Sequence, residues 1–339
     1  MKIIPKVLTA LLCSSLLFSA TASHADEINR HNLKIAFVMA KKHPHDIGAM
    51  KFADLVKEKS GGKMKVMVFA NGTLGGDAQV ISSLQGGTVD MTLVTPGLLT
   101  GIEKSFGVYG MPFLFQSSEE VDAVLDGPVG QQLLERLPPH GIIGLGYWDH
   151  GFRHATNSKH PITKLEDFQG LKLRVMQIPT AIETFNRLGA NPVPLSYTEL
   201  YTAMETHTVD GQENPLAAID TSKFYEVQKY LSLTGHFYDP LVAIFSKKTW
   251  DKFTETERNI IKEAATEAQA FERKVSRDMA VSSRDALAKT GMEINEVAPE
   301  EIQRMRDHLK PVTEKFAEEY GAELVGQLME EVNKVRNAN

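Results

Sequence analysis

The sequence predicts an α/β protein of two lobes, with one long helix running across both. Three observations carry this. Apolar runs suited to buried strands alternate with helical patterns over residues 33–94, the rhythm of a mostly parallel sheet with flanking helices. The rhythm resumes after Pro138-Pro139-His140-Gly141, so the chain holds two such units. Between Thr254 and Gly291 there is neither proline nor glycine, while Ile260, Ile261, Ala264, Ala265, Ala268, Phe271 and Val275 keep helical spacing. At about 1.5 Å per residue, a helix of that length is wider than one small domain.

The elements follow in order. Residues 33–40 form an apolar run fit for a buried strand. Ile47, Met50, Ala53 and Val56 recur at helical spacing up to Gly61-Gly62. Residues 63–68 alternate as a strand does, Asn71-Gly72 and Gly75-Gly76 mark a turn-rich loop, and a helix leads to a strand at 89–94. In the second unit, 141–148 and 171–175 read as strands. Thr180-x-x-Glu183 and Ser196-x-x-Glu199 match capping boxes, and Gly189 sits where a left-handed cap ends a helix.

The N-terminus has the three parts of an export signal. Lys2 and Lys6 precede an apolar run over 7–20, and small residues close it, so cleavage is expected after Ala25, with Ala22 as the second choice. The run is too short for the roughly 20 residues of a membrane-spanning helix. The one cysteine, Cys13, lies inside that run, and Leu12 before it does not fit a lipid-anchor site. The mature chain then has no thiol or disulfide chemistry, and it is large enough to bury a core without either. Formal net charge is −6, and loss of Lys2 and Lys6 makes it −8. That balance gives no basic footprint for nucleic acid, and an anion would have to be held by a few local cations.

Three polar segments lie beside strand ends: Tyr147-Trp148-Asp149-His150-Gly151-Phe152-Arg153-His154, Gly170-Leu171-Lys172-Leu173-Arg174-Val175, and Val209-Asp210-Gly211-Gln212-Glu213-Asn214-Pro215. Ligands of α/β sheets bind beyond the carboxyl ends of strands. An arginine fork there grips a carboxylate through two parallel hydrogen bonds, and a helix start adds positive potential. Leu171, Leu173 and Val175 face one side, and Lys172 and Arg174 the other. Arg153 follows a strand as well, and Asn214, held extended by Pro215, can both donate and accept. Each has a plainer reading as an ion-paired, loop or turn residue. Asp210 and Glu213 show no spacing that separates an acid/base pair from a turn. His43-Pro44-His45 is half a metal site with no further ligand pattern, so neither metal nor cofactor is expected. No nucleophile elbow, phosphate loop or complete dinucleotide fingerprint appears.

The second and third of these segments, the latter continuing through Lys223-Phe224-Tyr225-Glu226-Val227-Gln228-Lys229, resemble the substrate-binding subunits of tripartite ATP-independent periplasmic (TRAP) transporters of the dicarboxylate-binding type. Gly72-Thr73-Leu74-Gly75-Gly76-Asp77 and Gly151-Phe152-Arg153-His154-Ala155-Thr156-Asn157 add ordered support over nearly the whole mature chain. The resemblance implies a two-lobed periplasmic-binding (Venus-flytrap) fold whose lobes exchange strands: 26–150 with 240–279 in lobe I, and 151–239 with 280–339 in lobe II. It implies that Arg174 grips a carboxylate, with Arg153 and Asn214 beside it. Tyr197 would be an aromatic wall, and His43, Asp77 and His236 would line the cleft. Gln177 is a candidate hydroxyl partner.

Sialate-binding relatives carry a glutamate where Thr95 stands. His43, Asp77, Trp148, His150, Gln177 and Tyr197 offer the hydroxyl partners and aromatic face that a uronate or aldonate needs. A C4-dicarboxylate is the alternative, with Arg153, His43 or His150 as the second cation. The expected protein is a periplasmic monomer that hands its ligand to integral membrane subunits driven by an ion gradient. Competing readings are a periplasmic hydrolase or lyase of sugar acids, and a ligand-sensing module that docks on a receptor.

Overall fold

A computed structural model describes residues 27–338 of the chain. The export segment at 1–25, its cleavage point and Cys13 lie outside these residues. The first unit runs β1 (His31–Ala36), α1 (Pro44–Lys59), β2 (Met64–Phe69), α2 (Asp77–Gly86) and β3 (Met91–Val94). Helices α3 (Ser118–Leu125) and α4 (Pro128–Leu134) lead into the long strand β4 (Ile142–Asn157). The second unit runs β5 (Lys172–Val175), α5 (Pro179–Arg187), β6 (Asn191–Pro194), α6 (Tyr197–Glu205), β7 (Gly211–Pro215) and α7 (Leu216–Thr221). Strand β8 (Tyr230–Ser246) returns across the molecule. It is followed by α8 (Lys247–Trp250), α9 (Glu255–Leu287), β9 (Glu293–Glu296), α10 (Pro299–Tyr320) and α11 (Ala322–Arg336).

All strands join one sheet in the order β2-β1-β3-β8-β4-β7-β5-β6, with β9 added to β8. The three strands of the first unit are mutually parallel, as are β7, β5 and β6. Between the two sets, β4 and β8 pair antiparallel from Ile142↔Ser246 to Asn157↔Tyr230. These two strands therefore belong to both lobes, which is the exchange the resemblance implied. One pair of apolar clusters covers the faces of the first half and another pair those of the second.

Several local expectations need correction. Strand β4 does not stop at Trp148. Polar residues interrupt its apolar run, but the chain stays extended through Arg153, and β7 likewise forms where a turn was an open reading. Gly146 (φ 130°) and Gly151 (φ 109°) mark bulges within β4, not its ends. Helix α5 starts on Pro179, so Thr180 is already inside it and bonds the Tyr320 hydroxyl at 2.8 Å instead of capping. The Ser196 box does form, with the Glu199 carboxylate accepting from the Ser196 N–H at 3.2 Å. Gly189 takes its left-handed cap at φ 89°. Helix α11 departs from the expected division at 279/280. Leu324, Leu328 and Val332 pack with Val121, Val124 and Leu125 of α3, and Arg336 pairs Glu120 at 2.8 Å, so this helix returns to the first lobe.

Helix α9 spans 33 residues, about 50 Å at the usual rise. Its first half buries Ile260, Ile261, Ala264, Ala265 and Ala268 in the first lobe, and Leu287 at its end joins a second-lobe cluster. The expected apolar stripe fails in the middle: Phe271 is exposed, and Glu272, Arg273 and Ser276 are buried. Bulged β4 is the reason, since its freed backbone groups need partners. Gln269 accepts from the Tyr147 N–H (3.1 Å), Glu272 accepts from the Asp149 N–H (2.8 Å), and Arg273 donates to the Tyr147 carbonyl (3.1 Å). The polar waist of α9 completes the irregular strand.

Helix α1 closes on this waist at Gly48. A Cβ there would stand 2.5 Å from the Trp148 ring and 2.6 Å from Glu272 Cγ. Alanine gains up to about 1 kcal/mol in helix propensity, while overpacking a rigid ring costs about 1–3 kcal/mol. Gly48→Ala is therefore expected to lower the urea-unfolding free energy by about 1–2 kcal/mol. Equal or greater stability would show that Trp148 yields freely.

Candidate functional site

A cleft opens where the two lobes meet. The carboxyl ends of β1, β3 and β5 contribute Phe37, Val38 and Met39, then Val94 and Thr95, then Arg174 and Met176. Asp77 enters from the first turn of α2, Tyr197 from that of α6, Asn214 from β7, and His150 and Arg153 from β4. The ends of the parallel strands thus form the walls, and the two exchanged strands contribute to the floor.

Arg153 sits at the centre of the floor, fully buried. Its Nε and Nη2 donate to the two carboxylate oxygens of Glu213 on β7, and Nη1 donates to Asp239 Oδ2 on β8 at 2.6 Å. Nη2 also reaches the Glu213 carbonyl (2.6 Å) and Asn214 Oδ1 (3.3 Å). One cation is thus held by two carboxylates on the neighbouring strands. Burial alone would raise the Glu213 pKa, but Arg153 and His236 overcome it and hold it at about 2. Burial would lower that of Arg153, but the same carboxylates raise it above its ordinary value. Asp239 Oδ2 also accepts from Thr95 (3.1 Å) and from His150 Nδ1 (3.2 Å).

Arg174 is placed differently. Nε and Nη2 donate to a single backbone oxygen, that of Leu195, at 2.9 and 2.8 Å, and the guanidinium lies 6.0 Å from the centre of the Tyr197 ring. Among the described residues no carboxylate makes a salt bridge to it. Burial pushes its pKa down to about 10, with the pull of Glu213 opposing and Arg153 adding to the fall. Half-buried Asp77 faces it across the cleft. Removal from water pushes the Asp77 carboxyl up to about 6, with Arg174 opposing and Asp239 adding to the rise.

Five of the nine residues singled out in the sequence therefore line one cleft: Arg174, Arg153, Asn214, Asp77 and Tyr197. Four do not. Gln177 is exposed at an outer mouth that shares Asp77, Arg174, Met176 and Tyr197 with the cleft. Trp148 packs instead in the apolar cluster under α1 and α9, and His150, two positions on, reaches the cleft because the bulge between Asp149 and Gly151 takes it out of the strand's alternation. His236 stands behind Glu213, 3.2 Å from Oε2 and 2.7 Å from Thr234 Oγ1, and backs the ion cluster. His43 caps α1 beneath the wall, its Nδ1 accepting from the His45 N–H at 3.2 Å, and His45 takes the cleft position expected for it. Burial holds both rings well below the ordinary histidine range, so both are neutral. Asp239 was missed because nothing in the apolar run around it announced a buried carboxylate. Phe37, just past β1, was missed because no motif marks it, and His45, noticed only as half a metal site, because its place in the first turn of α1 is set by the fold.

The comparisons with known proteins give the family. Residues 35–319 match the family described as bacterial extracellular solute-binding protein, family 7. The sugar acid binding protein DctPAm of Advenella mimigardefordensis, solved in complex with galactonate, superposes with a TM-score of 0.89 at 43% identity, covering 91% of this chain and 99% of that one. The 2,3-diketo-L-gulonate-binding periplasmic protein YiaO of Escherichia coli is 34% identical over 84% of this chain and 86% of its own. The C4-dicarboxylate-binding protein DctB of Bacillus subtilis is 33% identical over 88% and 85%. The chain belongs to this family, the solute-binding subunits of TRAP transporters, which capture small carboxylates and deliver them to membrane subunits.

Proposed function

We propose that this subunit carries a sugar acid with a single carboxylate, an aldonate or uronate, and that Arg174 grips that carboxylate. The observation that carries the reading is the unequal state of the two arginines. Arg153 is neutralised by Glu213 and Asp239, while Arg174 has only a backbone oxygen. The pocket thus offers one uncompensated guanidinium, and His43 and His45 are kept neutral by burial. A second ligand carboxylate would lie beside Asp77, Glu213 and Asp239 with little to balance it. Hydroxyls suit the remaining groups: Asp77, Thr95, Asn214, His45 and His150 can donate or accept, and Tyr197 supplies a ring face. The galactonate and diketogulonate binders among the relatives support this choice, and the C4-dicarboxylate binder stands as its rival. The reading includes export with cleavage after Ala25 and action as a monomer. N-terminal sequencing and sedimentation of the exported chain check both.

Calorimetry with galactonate, galacturonate, 2,3-diketo-L-gulonate and succinate decides the ligand class. One of the sugar acids is expected to bind at least tenfold more tightly than succinate, and the reverse order would overturn the proposal. Arg174→Met should weaken the preferred acid by about 2–5 kcal/mol and leave ligand-free stability unchanged or higher, because a buried cation without a carboxylate is removed. Arg153→Met should instead cost about 3–5 kcal/mol of folding stability, since Glu213 and Asp239 are left buried and unpaired. A stable Arg153→Met protein would remove the distinction between the two arginines.

Affinity should also depend on pH. A bound carboxylate raises the Asp77 pKa beyond its ligand-free value of about 6, so binding takes up a proton. Affinity is expected to fall as pH rises from 6 to 8, by less than tenfold per unit, and to lose this slope in Asp77→Asn. A slope that survives the substitution would assign the proton elsewhere.

A further inference from the structure

Three imidazoles from two separate parts of the chain meet at the cleft, His45 and His150 in its lining and His43 beneath them. His43 is the N-cap of α1 and His45 lies in its first turn. His150 comes from β4, where Asp149 pairs with Pro240 and Gly151 with Asp239, so His150 is the extra residue of a bulge. The bulge releases it from the regular alternation and turns its ring toward α1. Ring centres stand 4.2 Å (His43–His45), 4.7 Å (His45–His150) and 5.3 Å (His43–His150) apart, and all three residues are buried.

We propose that His43, His45 and His150 form a binding site for a divalent transition metal of the imidazole-seeking class, zinc foremost. One ring nitrogen from each lies within 4.8 Å of the other two. The Nε2 atoms of all three are buried, and none has a hydrogen-bond partner among the described residues. A tetrahedral zinc with bonds of about 2.0–2.1 Å requires nitrogens about 3.3 Å apart, so the rings have to close by about 1.5 Å at most. His150 is already oriented for this. Its Nδ1 is engaged by Asp239 Oδ2 at 3.2 Å, so Nε2 is the ring nitrogen left for a metal. This is the carboxylate–histidine arrangement that supports metal ligands. His43 has to exchange its Nδ1 contact with the His45 N–H before its Nε2 can ligate, so metal binding should loosen the first turn of α1. A three-nitrogen, oxygen-poor donor set selects zinc, nickel, copper or cobalt over magnesium and calcium. His45 and His150 also line the cleft, so a metal held by them would adjoin the ligand space. The site does not depend on which acid is carried.

The test uses tagless exported protein, stripped with chelator and dialysed against Zn²⁺ alone. One zinc per chain is expected. His45→Asn and His150→Asn should each weaken binding at least thirtyfold, while His207→Asn on the surface should change nothing. Co²⁺ bound to the wild type gives a readout that does not depend on any variant folding: intense visible bands of a four-coordinate ion with nitrogen and oxygen ligands. Stoichiometry below 0.2, binding untouched by the His45 and His150 substitutions, or a weak six-coordinate Co²⁺ spectrum would each overturn the proposal. The last two outcomes would assign the metal to surface groups.

Discussion

The ion cluster of Arg153, Glu213 and Asp239 is the constraint on which the cleft depends. Its three members come from β4, β7 and β8, which are adjacent in the sheet, and β4 and β8 are the strands shared by the two lobes. Buried charges are tolerated only when paired and hydrogen-bonded, so fixing Arg153 also fixes the register of all three strands at the floor. Thr95, His150, Asn214 and His236 attach to the same carboxylates or to the guanidinium. Much of the polar lining is thereby set by one charge balance.

That balance leaves Arg174 as the group that has lost water without gaining a carboxylate. Its burial against Tyr197 and the Leu195 carbonyl stores a cost in the ligand-free protein that a ligand carboxylate can relieve. Stability and function are thus separated between two arginines that look alike in sequence. A second constraint acts from outside the cleft. The bulges of β4 re-aim His150 but free backbone groups, and Gln269, Glu272 and Arg273 on α9 satisfy them. The helix that spans the lobes is therefore polar where it passes the irregular strand and apolar where it packs on each lobe.

Much of this was legible in the sequence. Strand–helix alternation gave both units, and the uninterrupted stretch before Gly291 gave α9 almost to its ends. Alternation in Lys172-Leu173-Arg174-Val175 put Arg174 on the cleft side and Leu173 and Val175 in the core. Other features were hidden for physical reasons. Period-2 reasoning stops a strand when its apolar run ends, so the pattern closes β4 at Trp148 and leaves its polar half outside the strand. The partners of Arg153 lie 60 and 86 residues away and are set by strand pairing, which no local pattern encodes. The same holds for His150, which completes a histidine cluster only through a bulge. Trp148 packs in the apolar cluster under α1 and α9, and His236 stands behind Glu213, positions that strand pairing sets and no local pattern shows.

The account turns on which arginine meets the ligand. A crystal structure of the protein with its preferred acid tests this most directly. The expected result is a bidentate contact between Arg174 and the carboxylate, with Arg153 still bonded to both Glu213 and Asp239. Release of either carboxylate by Arg153 so that it can take the ligand in place of Arg174 would contradict it.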